Sequence, residues 1–262
     1  METVNPAVEL PKSSVDGFEL PCGYIDQDGK LHTQVEIREI TGPEEEILAA
    51  TNMMAFRRLN RLMIACTAAI GPYRGEAAME KIIPDLCQGD RFFIMFAIRR
   101  VSLGNDMPFI SKCPHCDQEQ KIVVDLSELE VKAMPDPKRR TYPIVLPKSG
   151  HKVLMKVLTG RGEDSIARAL QSGKDRISTS LLARIDSMND KPCTLEDLKV
   201  LGLMDRNFLR DAWEDNEGGI DTSIDMECPS CAAEYQANVD PSQEGFFNPL
   251  AVLKRWNKKS ST

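Results

Sequence analysis

Two Cys-Pro-x-Cys pairs constrain this chain more than any other feature: Cys113-Pro-His-Cys116 and Cys228-Pro-Ser-Cys231. A tight turn of that spacing between two strand-like segments points two sulfurs at one cation. Four thiolates then complete a tetrahedral, closed set with no position left for water or substrate. Ile220, Thr222, Ile224 and Met226 alternate before the second pair, and Tyr235, Ala237 and Val239 after it, as half-buried strands do. Yet 111 residues separate the pairs, far more than a compact zinc finger spans.

An internal repeat accounts for that gap. When the sequence is shifted by 115 positions, both pairs superpose without a gap, and 12 of the 36 positions between Asp90–Asp125 and Asp205–Asp240 are identical. Chance at ordinary residue frequencies gives roughly two or three. Upstream, Leu20-Pro21 matches Leu146-Pro147, and Thr41-Gly42 before Glu45-Glu46 matches Thr159-Gly160 before Glu163-Asp164. Both runs read Leu-Pro, turn glycine (Gly29 or Gly150), Thr-Gly-acidic, Asp-Arg-x-Phe, Cys-Pro-x-Cys. Each half would then supply one knuckle to a single ion on a pseudo-two-fold axis, and the metal would close a long loop.

The expected fold class is α+β, with duplicated halves built from a β-hairpin, helices and a knuckle, joined by a zinc-ribbon-like four-cysteine site. Val35 to Ile40 alternates as a strand after the hairpin chemistry of Asp28-Gly29, and His151 to Leu158 repeats that part. Thr41, Pro43 and Glu44 signal a helix start. Phe56, Leu59, Met63, Cys66 and Ile70 follow at helical spacing up to Gly71-Pro72, and Asp90 to Leu103 reads as a deeply buried helix closed by Gly104. Ile166 to Leu182 and Leu195 to Trp213 take the matching places, with Thr194 as a cap and Gly202 as a break. Three prolines in the stretch from Met134 to Pro143 predict an extended linker. The expected units are therefore 1–133, a linker and first strand at 134–148, 149–245, and a tail at 246–262.

Structural zinc, one ion per chain on Cys113, Cys116, Cys228 and Cys231, is the expected cofactor. Tetrahedral sulfur suits iron as well, whereas a redox dithiol would need a helix-start setting that these turns lack. His115 has Ser230 as its counterpart and reads as an exposed turn residue. Cys22, Cys66, Cys87 and Cys193 have no matched partners and read as buried thiols acting as small hydrophobes.

Three histidines on separate segments offer little to catalysis, and no nucleophile elbow, P-loop or dinucleotide fingerprint occurs, so no catalytic residue is expected. Asp90-Arg91 and Asp205-Arg206 recur in both halves, which points to architecture. The longest apolar runs are too short to span a bilayer, and the N terminus lacks the pattern of a signal peptide. Origin in a reducing cytoplasm is therefore the expectation. The net charge is −7, of which Lys254, Arg255, Lys258 and Lys259 hold +4 and the rest −11. That balance argues against nucleic acid as a partner. In the tail, Phe246, Phe247, Leu250, Leu253 and Trp256 put large apolar groups at helical spacing, either packed on their own domain or presented to a partner.

Thr41-Gly-Pro-Glu-Glu-Glu-Ile-Leu, Gly89-Asp-Arg-Phe-Phe through Leu103-Gly104, Cys113-Pro-His-Cys116, the second Cys-Pro-Ser-Cys and Phe246-Phe247-x-Pro249 resemble the baseplate hub assembly proteins of T-even-like contractile-tailed bacteriophages. The resemblance implies a non-enzymatic hub component or assembly factor. It would be made in the host cytoplasm, be destined for the tail baseplate, and contact other tail or hub proteins and no small-molecule substrate. A zinc-ribbon adaptor that touches nucleic acid through its basic tail is the competing expectation.

Overall fold

The computed structural model describes residues 15–51, 53–241 and 243–258. It is a mixed α and β protein. A hairpin of β1 (Val15–Ile25) and β2 (Leu31–Arg38) leads to α1 (Gly42–Ala49), α2 (Ala55–Cys66), β3 (Thr67–Ile70), β4 (Tyr73–Arg74), α3 (Glu76–Ile82) and a 3-10 turn (Ile83–Asp85). Next come α4 (Gln88–Leu103) and the hairpin β5 (Asp106–Lys112) and β6 (Glu119–Asp125).

After β7 (Val131–Lys132), a similar order follows: β8 (Thr141–Val145), β9 (Lys152–Lys156), α5 (Gly160–Gln171), α6 (Arg176–Ala183), β10 (Ile185–Met188), β11 (Lys191–Pro192), α7 (Leu195–Lys199) and α8 (Leu203–Asn216). A short β12 (Gly219–Ile220) precedes the hairpin β13 (Ser223–Glu227) and β14 (Glu234–Asn238), and α9 (Glu244–Phe247) and α10 (Pro249–Lys258) close the described chain. The larger sheets run β1-β2-β3-β4 and β11-β10-β9-β8, each antiparallel throughout.

Local chemistry sets most boundaries. Thr194 Oγ1 accepts the Asp197 N–H at 3.2 Å, while Asp197 accepts the Thr194 N–H at 2.8 Å, a complete capping box that starts α7. Gly202 separates α7 from α8, as expected. The helical spacing from Phe56 to Ile70 is only partly followed: α2 ends at Cys66, and Thr67–Ile70 pairs with β2, Val35 facing Ile70. A free β2 edge and β-branched residues at 67 and 70 outweigh helical periodicity there.

The stretch from Met134 is not extended throughout: it turns at Pro137–Lys138, where the Arg139 N–H bonds to the Asp136 carbonyl (3.0 Å), and it is firmly held. The Met134 N–H bonds to the Pro21 carbonyl at 2.8 Å, and Arg140 donates to the carbonyls of Cys22 (3.3 Å) and Gly23 (2.7 Å). Pro143 lies in the edge strand β8, the position in a sheet that tolerates a missing N–H.

Two apolar clusters meet on α4, and a third contains no α4 residue. One joins α4 to the first sheet, α2 and α3 through Val35, Ile37, Leu62 and Ile70; another joins it to both knuckle hairpins and Phe246; the third fills the second sheet and α6 to α8. α4 also buries three charged side chains. Asp90 accepts the N–H groups of Cys22 (2.7 Å) and Gly23 (3.2 Å). Arg91 donates to Glu163 (2.7 Å), Asn60 (2.9 Å) and the Ile83 carbonyl (3.0 Å). Arg99 donates to the carbonyls of Gly104 (2.8 Å) and Asp106 (3.0 Å). On α8, Asp205 accepts the N–H groups of Lys148 (2.8 Å) and Ser149 (3.0 Å), and Arg206 donates to the Leu198 carbonyl (2.7 Å).

Glu44, at the start of α1, accepts two bonds from Arg38 (2.7 and 3.1 Å) and those from the Thr41 N–H and hydroxyl (3.0 and 2.7 Å). Arg38 chiefly, with Thr41, holds its carboxyl down to about 2 against the opposing effect of burial. A depressed carboxyl stabilises the fold at neutral pH and loses that contribution as pH falls from the ordinary glutamate range toward 2. Glu44→Gln is expected to cost about 1.5–3 kcal/mol at pH 7, the worth of bonds to a charged group. Urea titrations of both chains at pH 7 and pH 3 check this, because the gap should narrow in acid.

Candidate metal centre

The β5–β6 hairpin pairs in unbroken register from Asp106↔Asp125 to Lys112↔Glu119, and β13–β14 does so from Ser223↔Asn238 to Glu227↔Glu234. Each therefore ends in a tight turn at its Cys-Pro-x-Cys. The Cys113 N–H bonds to the Gln118 carbonyl (2.9 Å) and the Asp117 N–H to the Cys113 carbonyl (3.0 Å); Cys228 with Ala233 (2.9 Å) and Ala232 with Cys228 (2.8 Å) repeat the pattern. Asp117 and Ala232 both take the left-handed conformation, φ 61° and 54°, where glycine is common after such turns. Both turns accept that strain.

The four sulfurs come from both hairpins. Cys113 Sγ lies 3.8 Å from Cys231 Sγ, Cys116 Sγ lies 3.6 Å from Cys228 Sγ, and all four fall within 4.8 Å of one another. A Zn–S bond of about 2.3 Å gives tetrahedral edges of about 3.8 Å, so the measured contacts match two opposite edges of such a site. Cys113 and Cys228 are buried, Cys116 and Cys231 exposed. The cluster thus sits at the hairpin tips with one side in solvent. The donor set, the spacing and the inward N–H of His115, 3.4 Å from Cys113 Sγ, all fit a bound cation.

Burial opposes ionisation of Cys228, but the main-chain N–H groups of Ser230 and Cys231 and the neighbouring thiols Cys116 and Cys231 outweigh it and bring the thiol down to about 6. These main-chain N–H groups favour the thiolate form of Cys228. A metal would displace the remaining protons, so uptake should release acid and weaken as pH falls.

The other sequence-predicted residues are distributed as follows. His115 is exposed on its turn. Phe246 is fully buried, 5.0 Å from the Phe96 ring and 4.9 Å from Phe247, which is half-buried. Leu250 and Leu253 on α10 are 62% and 37% exposed. The side chain of Trp256 and the whole of Lys259 lie outside the described residues. Asp90-Arg91 and Asp205-Arg206 serve architecture. Cys22 and Cys87, unpaired in the sequence reading, are close neighbours in space, and no feature of the sequence linked either of them to Asp90.

The fold and cluster define a mixed α and β protein carrying a closed four-thiol centre. The chain belongs to the T4 bacteriophage base plate protein family, whose model matches residues 25–248. It is accordingly a T4-like phage baseplate protein, a structural part of the tail. No curated protein and no solved structure matches it. Among the described residues no helix is long and apolar enough to cross a membrane.

Because the sulfurs of each hairpin complete the other's set, Cys113→Ser and Cys228→Ser should each remove the same single metal ion from this centre. Native mass spectrometry of the two variants checks it; loss from one alone would show that the hairpins do not share an ion.

Proposed function

We propose that this baseplate protein is a hub component or hub assembly factor acting through protein–protein contacts, its two halves clipped by one structural zinc. The observation that carries this reading is the meeting of four sulfurs from hairpins 111 residues apart in a chain of the base plate family. Zinc is favoured because four thiolates fill its tetrahedral set and leave no open position. An enzymatic role finds no support in such a centre.

Internal duplication is part of the proposal, with halves at 1–133 and 149–245, a connecting segment at 134–148 and a tail at 246–262. It is supported by the equivalent sheet orders and by the matching grips of Asp90 and Asp205 on the main chain after each Leu-Pro. The shared arginine bond eight residues back, Arg91 to Ile83 and Arg206 to Leu198, adds to it.

For the partner surface, Leu250 and Leu253 on the outer side of α10 are the residues we assign to contact with another tail protein. Phe246 and Phe247 anchor the tail instead, since Phe246 closes the cluster beneath the hairpins.

Capture of co-expressed neighbouring tail proteins by the full chain tests this. Leu250→Asp with Leu253→Asp should reduce capture at least tenfold while leaving thermal unfolding unchanged. Phe246→Ala should cost about 3–5 kcal/mol of stability. Tight DNA or RNA binding that weakens steeply with salt would favour a nucleic-acid adaptor instead, and undiminished capture by the double variant would remove α10 from the interface.

A further inference from the structure

We infer that Cys22, Cys87 and Asp90 form a second divalent-cation site, a two-thiolate, one-carboxylate set suited to zinc, distinct from the four-cysteine centre. β1 carries Cys22, Cys87 caps the start of α4, and Asp90 follows in its first turn. The two sulfurs and a carboxylate oxygen lie within 4.8 Å of one another, and all three residues are at most 3% exposed.

Asp90 supplies the independent sign of a ligand. Its Oδ1 takes both main-chain N–H groups, from Cys22 and Gly23, while its Oδ2 is buried and has no hydrogen-bond partner among the described residues. An orphaned carboxylate oxygen in the interior is expensive, and a cation held with the adjacent sulfurs would satisfy it.

The matching place on α8 sharpens the contrast. There both Asp205 oxygens are used, one by the Lys148 N–H and one by the Ser149 N–H. The positions corresponding to Cys22 and Cys87 hold Lys148 and Gly202. The same carboxylate grip therefore works without thiols, so the cysteine pair is not needed for that grip. This comparison rests on the duplication proposed above; the cluster itself does not.

Arg140 completes the setting. Its Nη1 lies 2.6 Å from Cys87 Sγ, and its Nη2 donates to the Cys22 and Gly23 carbonyls. Three anionic ligands around a dication leave one negative charge, which the guanidinium balances, and N–H···S bonds of this kind orient metal thiolates. A cleft of about 370 Å³, lined by Tyr24, Asp26, Asp85, Arg140 and Thr159, reaches Cys87. It gives an entry path and room for a water as fourth ligand.

Native mass spectrometry of the full chain, loaded with zinc and freed of excess metal, tests the inference. Two ions are expected on the wild-type chain and one on Cys87→Ala. One is also expected on the chain in which Cys113, Cys116, Cys228 and Cys231 are all changed to Ser. These variants alter different parts of the molecule, so a folding failure in one leaves the other decisive. Cobalt in the four-serine chain should give thiolate charge-transfer absorption of about half the intensity of a four-thiolate centre. A single ion on the wild-type chain that disappears in the four-serine chain overturns the second site and leaves the shared centre intact. One ion surviving there and lost on Cys87→Ala supports the second site even if the shared centre proves empty. A Cys22–Cys87 disulfide in peptides from the chain purified without reductant overturns it as well.

Discussion

Three buried charges on one helix govern how this molecule is put together. Asp90, Arg91 and Arg99 lie on α4 and are at most 3% exposed, so each must find partners when it leaves water. Each partner set ties down a different element. Asp90 fixes the last residues of β1 by their main chain, Arg91 reaches α5 through Glu163, and Arg99 grips the carbonyls that begin β5. Apolar burial drives α4 inward, but it is non-directional. The charges supply the directions.

Because Glu163, and Thr159, which bridges to Cys87, belong to the second run of elements, the same helix also decides how the two runs face one another. Arg161 pairs with Asp85, and Gln88 contacts Arg184, around the same junction. Gly89 has no room for a side chain there: a Cβ would sit 1.9 Å from the Gly218 carbonyl oxygen. The glycine ahead of Asp90-Arg91, replaced by Met204 ahead of Asp205-Arg206, thus marks which of the two helices is enclosed. Met204 is 61% exposed.

What could be read in the sequence follows from this division between local and distant causes. The knuckle turns, the cap at Thr194 and the apolar helix ending at Gly104 are written in neighbouring residues, and all appear as expected. The repeat even paired Asp90 with Asp205 before either had a known partner. Ile70 misled because its strand depends on an edge offered by Val35, thirty-five residues earlier in the chain. Cys22 and Cys87 looked solitary for a similar reason: β1 and α4 lie far apart in the chain and meet only on folding, through the Asp90 carboxylate and through Phe18 against Phe93. Phe246 read as surface or core with equal ease, since only the apolar cluster that α4 and the two hairpins form around it decides the matter.

The energetic role of a metal at the four-cysteine centre changes in the same light. Joining two hairpins 111 residues apart would close a long loop if nothing else did so. Here the loop is already closed by the Arg91–Glu163 pair, by β7 pairing with β12, and by the Ser111–Tyr235 hydroxyl contact at 3.1 Å beside the knuckles. Loop entropy would therefore contribute little, and the effect of an ion would be local. It would hold two solvent-facing turns, each carrying a residue with positive φ, in one relative position. A rigid tip of that kind is of use to a protein that must present a fixed surface to neighbours in an assembly, and it leaves the stability of the body to α4.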